Sequence, residues 1–207
     1  MSAALKAWIA LSFLFVALYG GYTGWRLYQH DRDGAVAGAG SAEYHPPEDL
    51  NYEVGSFELT ERSGRTFQSS ALQGKVWVAS FFFSGCPGPC LRMNNVVAEL
   101  QRDPQFAAAT FVSVTVDPDN DTPEKLRQYA DHFQADATRW LFLTGDVADI
   151  QELALERFKV PFATAMHSER LMLVDGEGRV RGAYAATMPA EVTLLKRKLA
   201  RLLEEAQ

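Results

Sequence analysis

The run Val76-Trp-Val-Ala-Ser-Phe-Phe-Phe-Ser-Gly-Cys86-Pro-Gly-Pro-Cys90 constrains this fold more than any other stretch. An unbroken apolar segment rich in Val and Phe is the pattern of a strand buried on both faces of a parallel sheet. It stops at Ser84-Gly85, and the only 2 cysteines of the chain follow it. Leu91-Arg-Met93-Asn-Asn-Val96-Val97-Ala-Glu-Leu100 then repeats its apolar residues at helical spacing. The pattern predicts Cys86 in a strand-to-helix turn and Cys90 in the first turn of a helix. Ligands bind at the carboxyl ends of strands in open α/β sheets, so both thiols arrive where such a fold does its chemistry.

Residues i and i+4 share one helix face, with Cβ atoms roughly 5–6 Å apart. Pro89 suits the first helical position, where its missing N–H would have had no partner anyway. Pro87 and Pro89 fix φ, while Gly88 between them permits a tight turn. A helix N-terminus also favours thiolate, the form that attacks disulfides and binds metals. Three uses fit a thiol pair so placed: a redox disulfide, a soft-metal site, or a structural bridge. The bridge gains least, because it would close a very short loop.

Downstream, Thr110–Val116 is a second buried strand by its β-branched composition. It ends in Asp117-Pro-Asp-Asn-Asp121-Thr122-Pro123, which reads as a loop with Thr122 capping a helix and Pro123 as its first residue. Asp117 and Asp121 leave the end of the neighbouring strand, where they could tune the cysteines or receive a partner. Turn formation and helix-start charge account for both equally well. Trp140–Leu143 is a third strand, Asp146–Arg157 is helical by pattern, and His167 precedes a fourth strand, Leu171–Val174. Asp175–Gly178 turns that strand into Val180–Tyr184, and an amphipathic helix runs from about Ala190 to Glu205. A short hairpin, Phe57–Thr60 with Thr66-Phe67, comes before all of these. The alternation describes an open α/β sheet of the thioredoxin arrangement, with flanking helices. Cys-x-x-Cys is the usual redox signature there, and this chain has one extra residue between its cysteines.

At these motifs the sequence resembles the SCO/SenC family of thioredoxin-fold copper proteins. The resemblance covers roughly Val54 to Leu203 and rests on Phe81-Phe-Phe-Ser-Gly-Cys86-Pro-Gly-Pro-Cys90, Val114-Thr-Val-Asp117-Pro-Asp-Asn-Asp121-Thr-Pro123, Trp140-Leu-Phe-Leu-Thr-Gly145 and His167-Ser-Glu-Arg-Leu-Met-Leu-Val-Asp175-Gly-Glu-Gly178. It implies a membrane-anchored metallochaperone for the dicopper centre of cytochrome c oxidase, with copper held by Cys86, Cys90 and His167. The implied partner is the copper-bearing oxidase subunit or another copper or thiol protein. The chain departs from the family's usual Cys-Pro-x-x-Cys-Pro, since Leu91 stands where the last proline is expected and Pro89 precedes the second cysteine. Soft sulfur suits Cu(I), and an imidazole would let the same site hold Cu(II). The alternative is a thiol–disulfide oxidoreductase in which Cys86 attacks and Cys90 resolves. A peroxidase reading lacks the Thr-x-x-Cys arrangement it needs.

From Ala7 to Trp25 no residue is charged, a length that spans a bilayer core as a helix. Tyr19, Tyr22 and Trp25 ahead of Arg26 resemble an interfacial belt with a charged stop. The competing reading is a signal peptide with Ala35-Val-Ala37 as its cleavage site, which lies far beyond the apolar run. The expected organisation is an anchor over 1–28, a Gly/Ala-rich tether over 29–50 and a thioredoxin-like domain over 51–207. Cysteine usage places that domain outside the cytoplasm. A net charge of −6 argues against nucleic acid as a partner. His30, His45 and His132 carry no assigned role.

Overall fold

The computed structural model describes residues 50–86, 88–160 and 169–206, together with Trp8 and Tyr19. Eight strands form one sheet: β1 (Tyr52–Glu53), β2 (Glu58–Glu61), β3 (Thr66–Gln68), β4 (Trp77–Phe82), β5 (Thr110–Thr115), β6 (Trp140–Thr144), β7 (Arg170–Val174) and β8 (Arg179–Ala185). Their order across the sheet is β1-β8-β7-β4-β5-β6-β2-β3. β4, β5 and β6 run parallel at the centre, with Val78 opposite Phe111 and Val112 opposite Leu141. β7 and β8 continue the sheet antiparallel on one side, and the β2–β3 hairpin joins β6 antiparallel on the other. The helices are α1 (Pro89–Arg102), α2 (Pro123–His132), α3 (Val147–Glu152) and α4 (Pro189–Glu205).

The apolar run of β4 is continuous because the strand is covered twice. Val76, Val78 and Phe82 pack into one core with α1, α2 and α4, whereas Trp77, Ala79 and Phe81 pack into a second core across the sheet. Alternation along the strand sends successive side chains to opposite faces, so an all-apolar strand needs both faces buried. Ser80 is the exception, and it is satisfied. Its hydroxyl lies 2.9 Å from that of Ser113 on β5, which also accepts the Trp140 indole N–H at 2.9 Å.

Most expected elements are present, with differences at their edges. The helix expected over Asp146–Arg157 is α-helical only to Glu152 and continues as a π-helix, Leu153–Arg157. The widened turn delivers Phe158 between Trp77 and Phe81, with ring centroids 5.9 and 5.4 Å away. Lys159 then takes a left-handed φ of 56°, and the Val160 N–H closes on the Ala154 carbonyl at 2.8 Å. β1 is too short to carry a period-2 signal. It pairs Tyr52 with Val180 and covers an edge that β8 would otherwise expose. Among the described residues no helix is long and apolar enough to cross a membrane. The expected anchor, apart from Trp8 and Tyr19, and the tether, apart from Leu50, lie outside the described residues. So does His167.

Candidate metal and redox site

β4 ends at Phe82 on the carboxyl edge of the parallel trio, and the chain turns from there into α1. The turn is tight: the Cys86 N–H donates to the Phe83 carbonyl at 3.2 Å. Gly88 is the N-cap of α1 and Pro89 its first residue. A glycine cap offers no side chain to the unpaired N–H groups of the first turn, so another group has to serve. That group is sulfur: the Cys90 N–H donates to Cys86 Sγ at 3.4 Å. The predicted positions of the two cysteines are therefore those observed, and the pair is in contact.

The two cysteines are not joined by a disulfide. Both are buried, Cys86 at 8% exposure and Cys90 at 2%, so Cys86 is the less buried of the two. Burial pushes the Cys90 thiol up to about 12, and its hydrogen bond with Cys86 adds to the rise, while a backbone hydrogen bond at Phe83 opposes it. The sequence had suggested thiolate stabilisation by the helix N-terminus. At Cys90 desolvation outweighs that effect, because the side chain is buried in the core that also holds Met93 and Val97.

Asp121 is not the solvated helix-start charge that its position before Thr122 allows. It has no exposed surface. Its carboxylate accepts the Ser84 N–H at 2.9 Å, the Ser84 hydroxyl, and the Thr115 hydroxyl at 2.5 Å. A buried carboxylate is tolerated when neutral donors saturate its oxygens in this way. Asp121 therefore binds the end of β5 to the thiol loop. Asp117 behaves as a turn residue. Its N–H donates to Thr115 Oγ1 at 3.0 Å, and its carboxylate accepts the Asn120 amide at 2.9 and 3.1 Å. Among the described residues no three His, Cys, Asp or Glu side chains gather as a metal site. The two aspartates thus support the loop or its neighbour, and the two cysteines bring thiol sulfur to the turn.

Two side chains behind the thiols escaped the sequence reading. Asn94, one turn after Cys90 on α1, is fully buried and donates its amide N–H to the Tyr129 hydroxyl at 2.9 Å. Tyr129 stacks on Phe82 with ring centroids 5.1 Å apart. The signal was present but slight: Cys90, Met93, Asn94 and Val97 stand at i, i+3, i+4 and i+7, so a polar residue occupies the apolar stripe.

The profile of the SCO1/SenC family matches residues 46–204. The SCO1 protein homolog of Bacillus subtilis is 31% identical over 144 residues, 65% of this chain and 75% of that protein. Among solved structures, a SCO1/SenC family lipoprotein from Bacillus anthracis superposes with a TM-score of 0.68 at 30% identity, covering 76% of this chain and 97% of that one. BsSco, described as a member of the Sco family of cytochrome c oxidase assembly proteins with a disulfide switch, superposes at 0.65 and 28% identity, covering 75% and 97%. With the thioredoxin-like sheet and the paired thiols at its rim, these matches establish the lineage. The chain belongs to the SCO1/SenC family.

Proposed function

We propose that this protein is a copper-handling assembly factor that binds the ion through Cys86, Cys90 and His167 and passes it to the copper-bearing subunit of cytochrome c oxidase. Copper is cargo here, not a resident cofactor. The observation that carries the reading is the contact between the two reduced cysteines, with the Cys90 N–H on Cys86 Sγ at 3.4 Å. Two thiols already within reach of one another form a soft donor pair that suits Cu(I). Both must lose their protons on loading, so copper uptake is coupled to proton release. Residues 1–28 would anchor the chain, 29–50 tether it, and 51–207 present the site outside the cytoplasm.

The same contact supports a redox gate. Oxidation of the pair forms one S–S bond and sends two electrons and two protons to an acceptor, which removes both donors at once. Reduction restores them. It also supports a second reading, a reductase of oxidase or other envelope cysteines, in which the less buried Cys86 attacks first and Cys90 resolves.

Copper titration of the reduced chain against a Cu(I) chelator separates the two. The copper reading expects one ion per chain, loss of binding in Cys86→Ser and Cys90→Ser, and no binding by the disulfide form. His167→Ala should cripple copper binding yet leave disulfide exchange intact. Tight copper binding that persists in both cysteine variants would overturn the copper reading.

A further inference from the structure

The sheet holds the chain in register up to Glu169. The Ala186 N–H donates to the Glu169 carbonyl at 2.8 Å, which carries the β7–β8 ladder one residue beyond the pair Arg170 and Ala185. The register of β7 on β4, with Trp77 opposite Val174 and Ala79 opposite Met172, brings Glu169 level with Phe82, the last residue of β4. Two adjacent strands, roughly 4.8 Å apart, therefore end at one edge. From Phe82 the chain runs on to Cys86, and at Glu169 it arrives from His167. The Glu169 carboxylate is engaged by neighbours on that edge. One oxygen accepts the Thr187 hydroxyl at 2.6 Å, and the other lies 3.8 Å from an Arg92 guanidinium nitrogen. Thr187 belongs to the link from β8 to α4, and Arg92 stands two residues after Cys90 on α1. Glu169 thus joins the start of β7 to that link and to the thiol helix. Two residues of chain reach at most about 7 Å, so a fixed Glu169 confines where His167 can go.

We propose that Glu169 is a positioning residue for the third copper ligand, with Thr187 and Arg92 as its supports: it fixes the foot of the short step to His167 beside the thiol helix. The inference rests on the copper reading above and on His167 as a ligand within it. Thr187 supplies the firmer hold, because a hydrogen bond to a carboxylate outweighs an ion pair whose arginine side chain is 60% exposed. Arg92 supplies direction, since it connects the carboxylate to the helix that carries Cys90. Groups that orient a metal ligand typically contribute about 10–100-fold to metal affinity. Here that contribution acts through the imidazole alone. It falls on Cu(II), which calls for nitrogen, and spares Cu(I), which two sulfurs satisfy.

The test loads the full reduced chain and its variants with Cu(I) and, separately, with Cu(II), each against a competing chelator, and records the Cu(II) absorption spectrum. Glu169→Ala should weaken Cu(II) binding about tenfold and shift the thiolate-to-copper band. Its Cu(I) affinity should change by less than about twofold. Arg92→Ala should weaken Cu(II) binding about threefold, an effect that fades in concentrated salt. The double variant should match Glu169→Ala alone, since the arginine acts through the carboxylate. Should Glu169→Ala fail to fold, Glu169→Gln keeps an acceptor for Thr187, drops the charge and should match Arg92→Ala. Equal losses for both ions would overturn the positioning role. So would folded variants with unaltered Cu(II) affinity and spectrum beside a wild type that binds copper. A wild type that binds no copper would overturn the copper reading itself, and the positioning role with it.

Discussion

The Asp121 carboxylate holds Ser84 by both of its polar groups, the backbone N–H at 2.9 Å and the hydroxyl, and so fixes the thiol loop two residues ahead of Cys86. The hydrogen bond from the Thr115 hydroxyl anchors that carboxylate to the end of β5. The sulfur pair is thus held from the adjacent parallel strand as well as by its own helix.

Removing that clamp should affect stability and site together. Asp121→Ala strands the buried Thr115 hydroxyl and two half-buried donors of Ser84 and is expected to cost about 3 kcal/mol, while Asp121→Asn, which keeps size and one acceptor, should cost roughly half as much. Supporting residues around a metal site typically contribute about 10–100-fold in affinity, so copper binding should weaken in both variants. Urea unfolding and chelator competition check the two effects. A full-strength site in a destabilised Asp121→Ala protein would show that the clamp serves folding only.

Ser113 offers the contrasting case. Its hydroxyl joins Ser80 and the Trp140 indole within the core, distant in role from the thiols. Ser113→Ala should lose about 1–3 kcal/mol by leaving the indole N–H unpaired, with copper affinity unchanged. Denaturant midpoints and copper titration on the same sample make the comparison.

The two thiols should react in order. Cys86 keeps 8% of its surface, whereas Cys90 keeps 2% and has a thiol raised to about 12. With limiting iodoacetamide near pH 8, mass spectrometry should find the first adduct on Cys86, because the attacking species is an accessible thiolate. Equal labelling of Cys90 would show that α1 opens readily at its first turn.

Alkali should destabilise the fold in a defined window. Cys90 rises from an ordinary 9.0 and Tyr129 from 10.0, each to about 12, chiefly through burial. Both are acids whose neutral form the folded state prefers. Their stabilisation is complete below about pH 9 and is lost as pH climbs through 9 toward about 12. Urea midpoints should fall across that range, and Cys90→Ala should flatten the earlier part of the decline. A midpoint that rises with pH in this window would contradict the burial of both groups.

The central strand, the thiol turn and the capped helix at Thr122 were legible because each has a local cause: a two-sided apolar run, a proline at a first helical position, a hydroxyl before a proline. What escaped the sequence depends on distant partners. β1 is two residues long and exists because β8 supplies an edge. The π-turn at Leu153–Arg157 follows from where Phe158 has to pack. Asp121 reads locally as a helix-start charge, and only the fold reveals that Ser84 and Thr115 enclose it. Cys90 shows the limit of a helix-end argument: the spacing located the thiol, but burial, which is tertiary, set its acidity.

The most direct test of the account is the absorption spectrum of the reduced chain reconstituted with Cu(II). Two cysteine sulfurs and the His167 imidazole on one ion predict an intense thiolate-to-copper charge-transfer band at one copper per chain, lost in Cys86→Ser and Cys90→Ser and abolished or strongly altered in His167→Ala. Absence of the band in the wild type, or its unaltered survival in His167→Ala, would contradict the account.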